Sequence, residues 1–188
     1  MNMDKGPYLL EAAVYAERFR GQLLVVKLGG ELLEQEAVLD RLVPQIEVLY
    51  RLGLRPIIVH GGGVQVDRAC QERGVSFEKR GGRRLTSPAV LQVLVDVVAG
   101  DLNERIKARL AALGIPSNGY KEGASSSILC KRRPPSSDEH GEMVDWGEVG
   151  DVSQIRPEFL SSDDGEAWTI PVLPSLGVLA DGSAVNVN

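Results

Sequence analysis

The sequence VVKLGG at residues 25–30 and the sequence IIVHGGG at residues 57–63 decide the fold. Each is a short apolar run that ends at glycines, as expected of a strand buried on both faces. Between them, residues 36–52 place apolar side chains on one helical face, and Gly53 ends that helix. A strand, a crossover helix and a parallel strand together need about thirty residues, which is the spacing here. The sequence therefore predicts an α/β chain with an at least partly parallel sheet.

The remaining elements are predicted from hydrophobic periodicity and from turn and cap residues. They are an amphipathic helix at 7–20, strands at 22–28 and 55–60, a helix at 64–73, a hairpin at 75–86 turning at Gly81–Gly82, a long helix from Ser87 and Pro88 to about 113 with Gly100 as a weak point, strands at 115–120 and 125–132, an exposed loop at 131–142, antiparallel edge strands at 143–152, a short helix from Ser153 to Leu160, a buried strand at 168–178 and a hairpin at 180–188.

Composition indicates one ordinary globular domain: 188 residues, 43% hydrophobic and 25% charged. The net charge of −5 argues against nucleic acid and an anionic membrane surface as partners. No apolar run is long enough for a membrane span and no signal-peptide pattern is present, so we predict a cytoplasmic protein. Cys70 and Cys130 have no metal or redox spacing, which predicts buried thiols in a reducing compartment. With only two histidines, no zinc cluster is expected, and we predict no metal ligands in the chain.

The two glycine clusters are the candidate site, because ligands of open parallel sheets bind beyond the carboxyl ends of the strands. Glycine backbones can turn several N–H groups toward an anion, and Lys27 would add positive charge. Residues 27–30 alone fit a tight strand-to-helix turn better than a phosphate site. Three glycines after His60 are costly, at about 1 kcal/mol each, so either a ligand or close helix packing should compensate. His60 itself fits a hydrogen-bonded residue at a strand end better than a catalytic base.

The familiar nucleotide motifs are absent. The sequence contains neither the G-x-x-x-x-G-K-[ST] phosphate loop nor the G-x-G-x-x-G dinucleotide fingerprint, and it has no G-x-S-x-G nucleophile turn. A phosphate site, if present, would have to use the two glycine clusters.

Four motifs together resemble the amino acid kinase family. They are KLGG at 27–30, IVHGGG at 58–63, GGRRLT at 81–86 and NVN at 186–188, and the resemblance extends from Leu23 to Asn188. Within the family, the motifs are most similar to those of acetylglutamate kinases. The resemblance implies a three-layer αβα sandwich with a mostly parallel central sheet. It also implies phosphoryl transfer from MgATP to the side-chain carboxylate of N-acetyl-L-glutamate, giving an acyl phosphate in arginine biosynthesis.

The same resemblance implies roles for particular residues. Lys27 would be catalytic, neutralising the transferring phosphoryl group, while Gly29 and Gly30 would bind phosphate. Substrate would be held by the remaining matched positions, which are Gly61, Gly62, Gly63, Arg84 and Asn186. Arg83, next to the matched arginine, is the alternative carboxylate ligand. ATP and Mg²⁺ are the implied cofactors. Because a glutamate-type carboxylate has a pKa near 4.3, it is already ionised at neutral pH and needs no general base.

We expect two parts in the chain: an N-terminal amphipathic helix at 1–21 and an N-acetylglutamate-binding lobe at 22–188. The alternating V-N-V-N ending has no stop signal, and in the family this motif runs on into an ATP-binding half. The sequence thus predicts a truncated kinase fragment that is inactive by itself.

Three other readings stay open. Similar domains in N-acetylglutamate synthases sense arginine without phosphoryl transfer, although a sensor has no need of Lys27. A related kinase acting on aminoadipate or aspartate would share most of these motifs. Residues 7–20 resemble the N-terminal helix of arginine-inhibited acetylglutamate kinases. That likeness implies a homodimer or hexamer with arginine as feedback inhibitor, whereas a helix packed on its own domain is the simpler interpretation.

Overall fold

The computed structural model describes residues 6–120, 126–159 and 168–187, and its helices alternate with strands. The helices are α1 (Gly6–Phe19), α2 (Gly30–Leu33), α3 (Glu36–Arg51), α4 (Gly63–Glu72), α5 (Pro88–Leu94), a π-helical turn (Val95–Leu102), α6 (Asn103–Ala112) and a 3₁₀ turn (Pro157–Phe159). The strands are β1 (Leu23–Leu28), β2 (Arg55–His60), β3 (Lys79–Arg80), β4 (Arg83–Arg84), β5 (Ser117–Asn118), β6 (Ile128–Arg132), β7 (Ser136–Ser137), β8 (Met143–Val144), β9 (Gly150–Ile155), β10 (Ile170–Pro174), β11 (Leu176–Val178) and β12 (Ala184–Asn186).

A parallel sheet lies at the centre of the chain. Its four strands follow the order β1-β2-β10-β5, and every neighbouring pair is parallel. Helix α3 makes the crossover between β1 and β2, with Gly53 in the left-handed region (φ 89°) just after it. The predicted α/β class with a mostly parallel central sheet is confirmed.

The core lies between one face of this sheet and the helices. Leu28, Ile58 and Val172 point to that face and are almost completely buried. They pack against apolar residues of the helices, which include Leu39, Val43, Ile46, Val66, Val90, Leu94, Ile106 and Leu110. On the opposite face of β1, Leu23 and Val25 are 62% and 63% exposed. Because side chains alternate along a strand, burial of Leu28 against the helices places Leu23 and Val25 on the opposite, exposed face of β1.

A second, mixed sheet follows the order β12-β11-β6-β9. Strands β11 and β12 form the antiparallel hairpin predicted at 180–188. The predicted single strand at 168–178 is wrong in one respect, because the chain passes from the parallel sheet in β10 to the mixed sheet in β11 at Ser175. A local apolar run cannot show that its two halves pair with different neighbours.

Two other local predictions need correction. Ser153 does not cap a helix: it lies in β9, and its hydroxyl donates a hydrogen bond to the Leu129 carbonyl oxygen at 3.1 Å. Pairing with β6 satisfies this backbone, so only the turn Pro157–Phe159 is helical, and Leu160 lies outside the described residues. Residues 131–142, predicted as a loop, contain the end of β6 and strand β7, which pairs with β8.

The long helix and the glycine hairpin are confirmed. Ser87 caps α5, accepting a hydrogen bond from the Val90 N–H at 3.3 Å, and helical structure continues to Ala112. The weak point predicted at Gly100 falls within the π-helical turn. Gly81 and Gly82 have φ of 54° and 74° at the turn between β3 and β4, which only glycine adopts cheaply.

Further sequence predictions concern the two cysteines, helix α1 and membrane-spanning helices. Cys70 and Cys130 are both free and buried, as predicted. Helix α1 is confirmed at Gly6–Phe19. In the part of the chain that the structure describes, no helix is both long and apolar enough to cross a membrane.

Val172→Ala should lower the free energy of unfolding by about 2–3 kcal/mol, because it removes buried methyl groups and leaves a cavity. Val25→Ala, at an exposed position on the same sheet, is the matched control and should change the free energy by less than about 0.5 kcal/mol. Urea unfolding followed by circular dichroism measures both. Equal losses in the two variants would contradict the assignment of the core face.

Candidate functional site

Three parallel strands end side by side. In the hydrogen-bonded register, Leu28 lies opposite His60, and His60 lies opposite Pro174. The next residues, Gly29, Gly61 and Ser175, therefore leave the sheet at one edge. The carboxyl edge of a parallel sheet is the usual position of a ligand site.

A cavity of about 500 Å³ lies at this edge, between the two sheets. The parallel sheet contributes Lys27 and Val59, while the mixed sheet contributes Ile128, Val152 and Asn186. Six of the eight sequence-predicted site residues line it: Lys27, Gly61, Gly62, Gly63, Arg84 and Asn186. The fold thus brings together residues that are up to about 160 positions apart in the sequence.

The three glycines after His60 have different surroundings. A Cβ added to Gly62 would lie 2.7 Å from side-chain atoms of both Val98 and Leu102, so this glycine allows close helix packing. Open space surrounds the corresponding positions of Gly61 and Gly63, where backbone faces the cavity. Helix α4 begins at Gly63, so its first N–H groups have no partner within the helix. Packing and ligand access are therefore served by different glycines.

Gly29 and Gly30 are not among the residues that line the cavity. Gly29 precedes α2, and Gly30 sits against the second glycine cluster, since a Cβ there would lie 3.2 Å from the Gly63 nitrogen. The Gln65 side chain joins the two clusters by donating to the Gly30 carbonyl oxygen at 2.8 Å. Phosphate binding by Gly29 and Gly30 stays a prediction.

Lys27 is exposed on the cavity side of β1, on the same face as Val59. No described residue forms a hydrogen bond or an ion pair with its ammonium group. An anion entering the cavity would therefore meet a positive charge that no protein carboxylate has already neutralised.

Arg84 is buried at the wall of the cavity. Its Nη2 donates to the Gly63 carbonyl oxygen at 2.9 Å and to the carboxylate of Asp67, and its guanidinium lies 5.5 Å from the ring centre of Phe77. The Nε group is buried without a hydrogen-bond partner in the described part of the chain. An unpartnered buried donor on a cation costs stability.

Asp67 holds this arginine in place. Burial alone would raise the pKa of its carboxyl group, but hydrogen bonds from Lys79 and Arg84 together lower the pKa. The carboxylate is thus ionised at neutral pH and shared between two cations. Arg83, in contrast, is exposed, lies 6.0 Å from the ring centre of Trp146 and does not line this cavity.

Asn186 is buried at the far wall and is fixed by the hairpin. Its Nδ2 donates to Thr86 Oγ1 at 3.1 Å, and that hydroxyl donates to the Arg84 carbonyl oxygen at 3.3 Å. The Asn186 backbone N–H also donates to the Glu148 carbonyl oxygen at 2.9 Å. One hydrogen-bonded network therefore sets the positions of the two polar side chains on either side of the cavity.

His60 is a structural member of the site. Its Nδ1–H donates to the Gly61 carbonyl oxygen at 3.0 Å, and its Nε2 accepts from Nδ2 of Asn103 at 3.0 Å. Burial lowers the pKa of His60, although the bond to Gly61 partly opposes this shift. The imidazole is therefore neutral at pH 7 and already committed at both nitrogens, which fits the prediction that it is not a catalytic base.

Sequence reasoning missed the apolar walls of the cavity and the residues that hold Arg84 in place, such as Asp67. Val66, Leu94 and Val98 line the cavity, and Ser175 lies at the end of the third strand. These are ordinary core residue types on separate elements, so no local pattern could identify them. Together the walls and cations suit a small ligand with anionic ends and an apolar middle.

The fold and the cavity define an α/β protein with a cavity lined by two cationic side chains at the carboxyl edge of a parallel sheet. Residues 22–188 match the family model described as "Amino acid kinase family", and the chain belongs to that family.

Curated relatives have the name acetylglutamate kinase. The protein from Myxococcus xanthus is 35% identical over 198 residues, covering 100% of this chain and 63% of its own length. The protein from Methanothrix thermoacetophila is 30% identical, covering 99% of this chain and 64% of its own length. The chain thus spans a little under two thirds of these relatives.

Solved structures show the same fold. An N-acetylglutamate synthase from Neisseria gonorrhoeae, complexed with coenzyme A and N-acetyl-glutamate, superposes with a TM-score of 0.74 at 24% identity. That match covers 97% of this chain and 40% of the other. A structure of N-acetylglutamate synthase from the same organism with coenzyme A and L-arginine gives 0.70 at 20% identity, covering 97% and 42%.

Acidification should destabilise the protein partly through His60. Its folded pKa lies below the ordinary value of 6.5, so the unfolded chain binds the proton first as the pH falls below about 6.5. Stability from this residue is present above that pH and is lost below it, by at most about 1.4 kcal/mol per pH unit. Urea unfolding between pH 7.5 and 5 should show a shallower decline in His60→Gln than in wild type. His140→Gln, at an exposed position, is the control and should follow wild type. Identical slopes in wild type and His60→Gln would contradict the buried neutral imidazole.

Proposed function

We propose that the protein transfers a phosphoryl group from MgATP to the side-chain carboxylate of N-acetyl-L-glutamate, giving N-acetylglutamyl phosphate in arginine biosynthesis. Residues 22–188 would form the lobe that binds the acyl substrate. The observation that carries this proposal is the buried guanidinium of Arg84 in the wall of a cavity that Lys27 and the glycine loop also line. The names of the curated relatives support the same substrate.

In this proposal the two polar walls meet the two groups on the α-carbon of the substrate. Arg84 binds the α-carboxylate, and Asn186 contacts the acetylamino group. Backbone of Gly61 and Gly63 lies near the reacting carboxylate. The apolar wall at Val98 and Leu94 accommodates the methylene chain.

Lys27 would stabilise the phosphoryl group as it transfers. The nucleophile is a carboxylate that is ionised at pH 7, so positioning and charge neutralisation are the main requirements. The neutral, fully bonded His60 is consistent with a reaction that needs no base.

The donors in the chain fit the phosphate end of ATP better than a free metal ion. Lys27 and the glycine backbones suit phosphate oxygens. No group of three or more His, Cys, Asp or Glu side chains among the described residues could hold a metal ion. Mg²⁺ usually keeps its waters and is bound through substrate phosphates, so it would enter with the nucleotide. The free thiols of Cys70 and Cys130 favour a cytoplasmic location.

Lys27→Ala in the natural gene product should lower kcat by about 100-fold, because one charge on the developing transition state is removed. Arg84→Ala should instead raise KM for N-acetyl-L-glutamate by about 10- to 100-fold, the value of a charged hydrogen bond. A hydroxamate assay that traps the acyl phosphate measures both. Arg83→Ala is the matched control and should leave both constants near wild type, since its side chain is outside the cavity. Full activity of Lys27→Ala would overturn the mechanism.

A second candidate is an arginine-sensing domain of the kind found in N-acetylglutamate synthases, because two such structures cover nearly all of this chain. Lys27 favours the kinase, since a sensor has no phosphoryl group to neutralise. If the natural gene product made no hydroxamate with any acyl or amino acid substrate but bound L-arginine, the sensor would replace the kinase. A preference for aminoadipate or aspartate in the same assay would keep the reaction and change the substrate.

We also propose that α1 joins subunits, assembling dimers into a hexamer that responds to arginine. Among its described side chains, Leu10, Val14 and Tyr15 are 73%, 65% and 49% exposed. The rings of Tyr15 and Phe19 stack with centroids 6.1 Å apart along one side of the helix. An exposed apolar stripe of this size fits a helix that is covered in an assembly.

Removing residues 1–20 from the natural gene product should reduce its mass by light scattering to that of a dimer and abolish inhibition by L-arginine. Leu10→Glu should have the same effect in milder form, because it places a charge on the exposed apolar stripe. Glu11→Gln, on the neighbouring position, is the control. Unchanged mass and unchanged inhibition after the truncation would leave α1 as a helix of its own subunit only.

A further inference from the structure

The π-helical turn Val95–Leu102 interrupts a long helix at the point where it meets the cavity. The Asn103 N–H bonds to the carbonyl of Val98, five residues earlier, as well as to that of Gly100. Such turns are rare and occur frequently at functional sites.

The turn changes which side chains share a face. In an α-helix, a residue five positions further on lies about 140° around the axis, so Val98 and Asn103 would point in different directions. With a bond from residue i to residue i+5, Asn103 is brought round toward the side of the helix that Val98 occupies. Leu102, four residues after Val98, shares that side in an α-helix as well, so the turn changes the position of Asn103.

This face holds the glycine loop. Val98 and Leu102 confine Gly62 so closely that an added Cβ would be 2.7 Å from each of them. Asn103 Nδ2 lies 3.0 Å from His60 Nε2 and 2.9 Å from the Val172 carbonyl oxygen. The turn therefore packs against the loop, and Asn103 directly after it links β2 to β10 through hydrogen bonds.

The orientation of the Asn103 amide is fixed from its other side. Its Oδ1 is buried without a hydrogen-bond partner, and a Cβ on Gly119 would lie 2.2 Å from it. A buried unsatisfied acceptor costs stability, so the amide is retained for what its Nδ2 does. Since Nδ2 donates to Nε2, the proton of His60 resides on Nδ1, where it donates to the Gly61 carbonyl oxygen.

We propose that Asn103, brought against His60 by the π-helical turn, is a positioning residue that fixes the His60 tautomer and through it the shape of loop 60–62 around the substrate. The identity of the ligand, N-acetyl-L-glutamate, rests on the proposed function. The positioning role itself rests only on the contacts of Asn103, His60 and Gly62.

The test uses two replacements of Asn103 and one control. Asn103→Leu keeps the volume and removes the donor, whereas Asn103→Asp places an acceptor against Nε2. Glu104→Gln, at the next residue with an exposed side chain, is the control. Because the chain has only two histidines, ¹⁵N NMR can follow the His60 ring in each protein.

The first readout is the His60 ring. Wild type and Glu104→Gln should show a neutral ring with the proton on Nδ1 down to below pH 6.5. Asn103→Asp should raise the His60 titration midpoint above 6.5, because the new carboxylate favours the imidazolium. Lys27 and Arg84, the charged groups that face the same cavity, oppose this rise equally in every variant.

The second readout is binding of N-acetyl-L-glutamate by calorimetry. Asn103→Leu should weaken binding about tenfold and speed amide exchange at Gly61 and Gly63, because the loop loses its hydrogen-bonded support. In Asn103→Asp, affinity should be about fivefold higher at pH 6 than at pH 8, and the ligand should raise the His60 midpoint reciprocally. Wild-type affinity should change less than about twofold over that range.

The outcomes separate this inference from the proposed function. If wild type binds no N-acetyl-L-glutamate, the proposed substrate is wrong, yet the tautomer and the amide exchange still decide the role of Asn103. If Asn103→Asp leaves the His60 titration unchanged, or if Asn103→Leu only lowers thermal stability while affinity and exchange match Glu104→Gln, the positioning role is wrong.

Discussion

The shared register of three parallel strands is the constraint on which the site depends. Because Leu28, His60 and Pro174 lie opposite one another, three chain segments leave the sheet at one edge. The same register decides orientation: Leu28 and Ile58 are buried against the helices, so Lys27 must point to the other face. A slip of one residue would reverse this arrangement and bury the lysine in the core. The hydrophobic core therefore determines that the Lys27 side chain lies on the face of β1 opposite the helices.

The sequence predicted features that depend on neighbouring residues and missed those that depend on pairing. Local periodicity and glycine positions were enough to predict the strand, helix and strand of residues 23–60 and the turn at Gly81–Gly82. The helix expected after Ser153 failed because strand β6 satisfies that backbone instead. At the site, motifs located the polar residues, whereas wall residues such as Val98 have no signature of their own. Only the folded chain assembles an apolar wall from common residue types.

The glycine cluster after His60 answers two requirements that the sequence presented as alternatives. Gly62 is needed for packing, because no side chain fits between it and the helix that follows α5. Gly61 and Gly63 leave backbone open to the cavity. Close packing holds the middle glycine in place, which lowers the cost of ordering the loop around a ligand. The Gly61 N–H is already bonded to the Leu28 carbonyl oxygen at 3.1 Å, so the first N–H groups of α4, from Gly63 onward, are the ones left for a ligand.

The charges around Arg84 indicate what kind of ligand the cavity favours. Asp67 is shared by Arg84 and Lys79, so one carboxylate faces two cations and a positive excess stays beside the cavity. Lys27 adds a further positive charge from the sheet. Only part of this excess is buried, because Lys27 and Lys79 reach solvent while Arg84 does not. A buried guanidinium favours an anion that matches its planar fork, such as a carboxylate. Charge attracts any small anion, but the guanidinium of Arg84 and the amide of Asn186 select by shape. In the proposed function N-acetyl-L-glutamate would meet both groups, because its α-carboxylate and its acetylamino group branch from the same carbon.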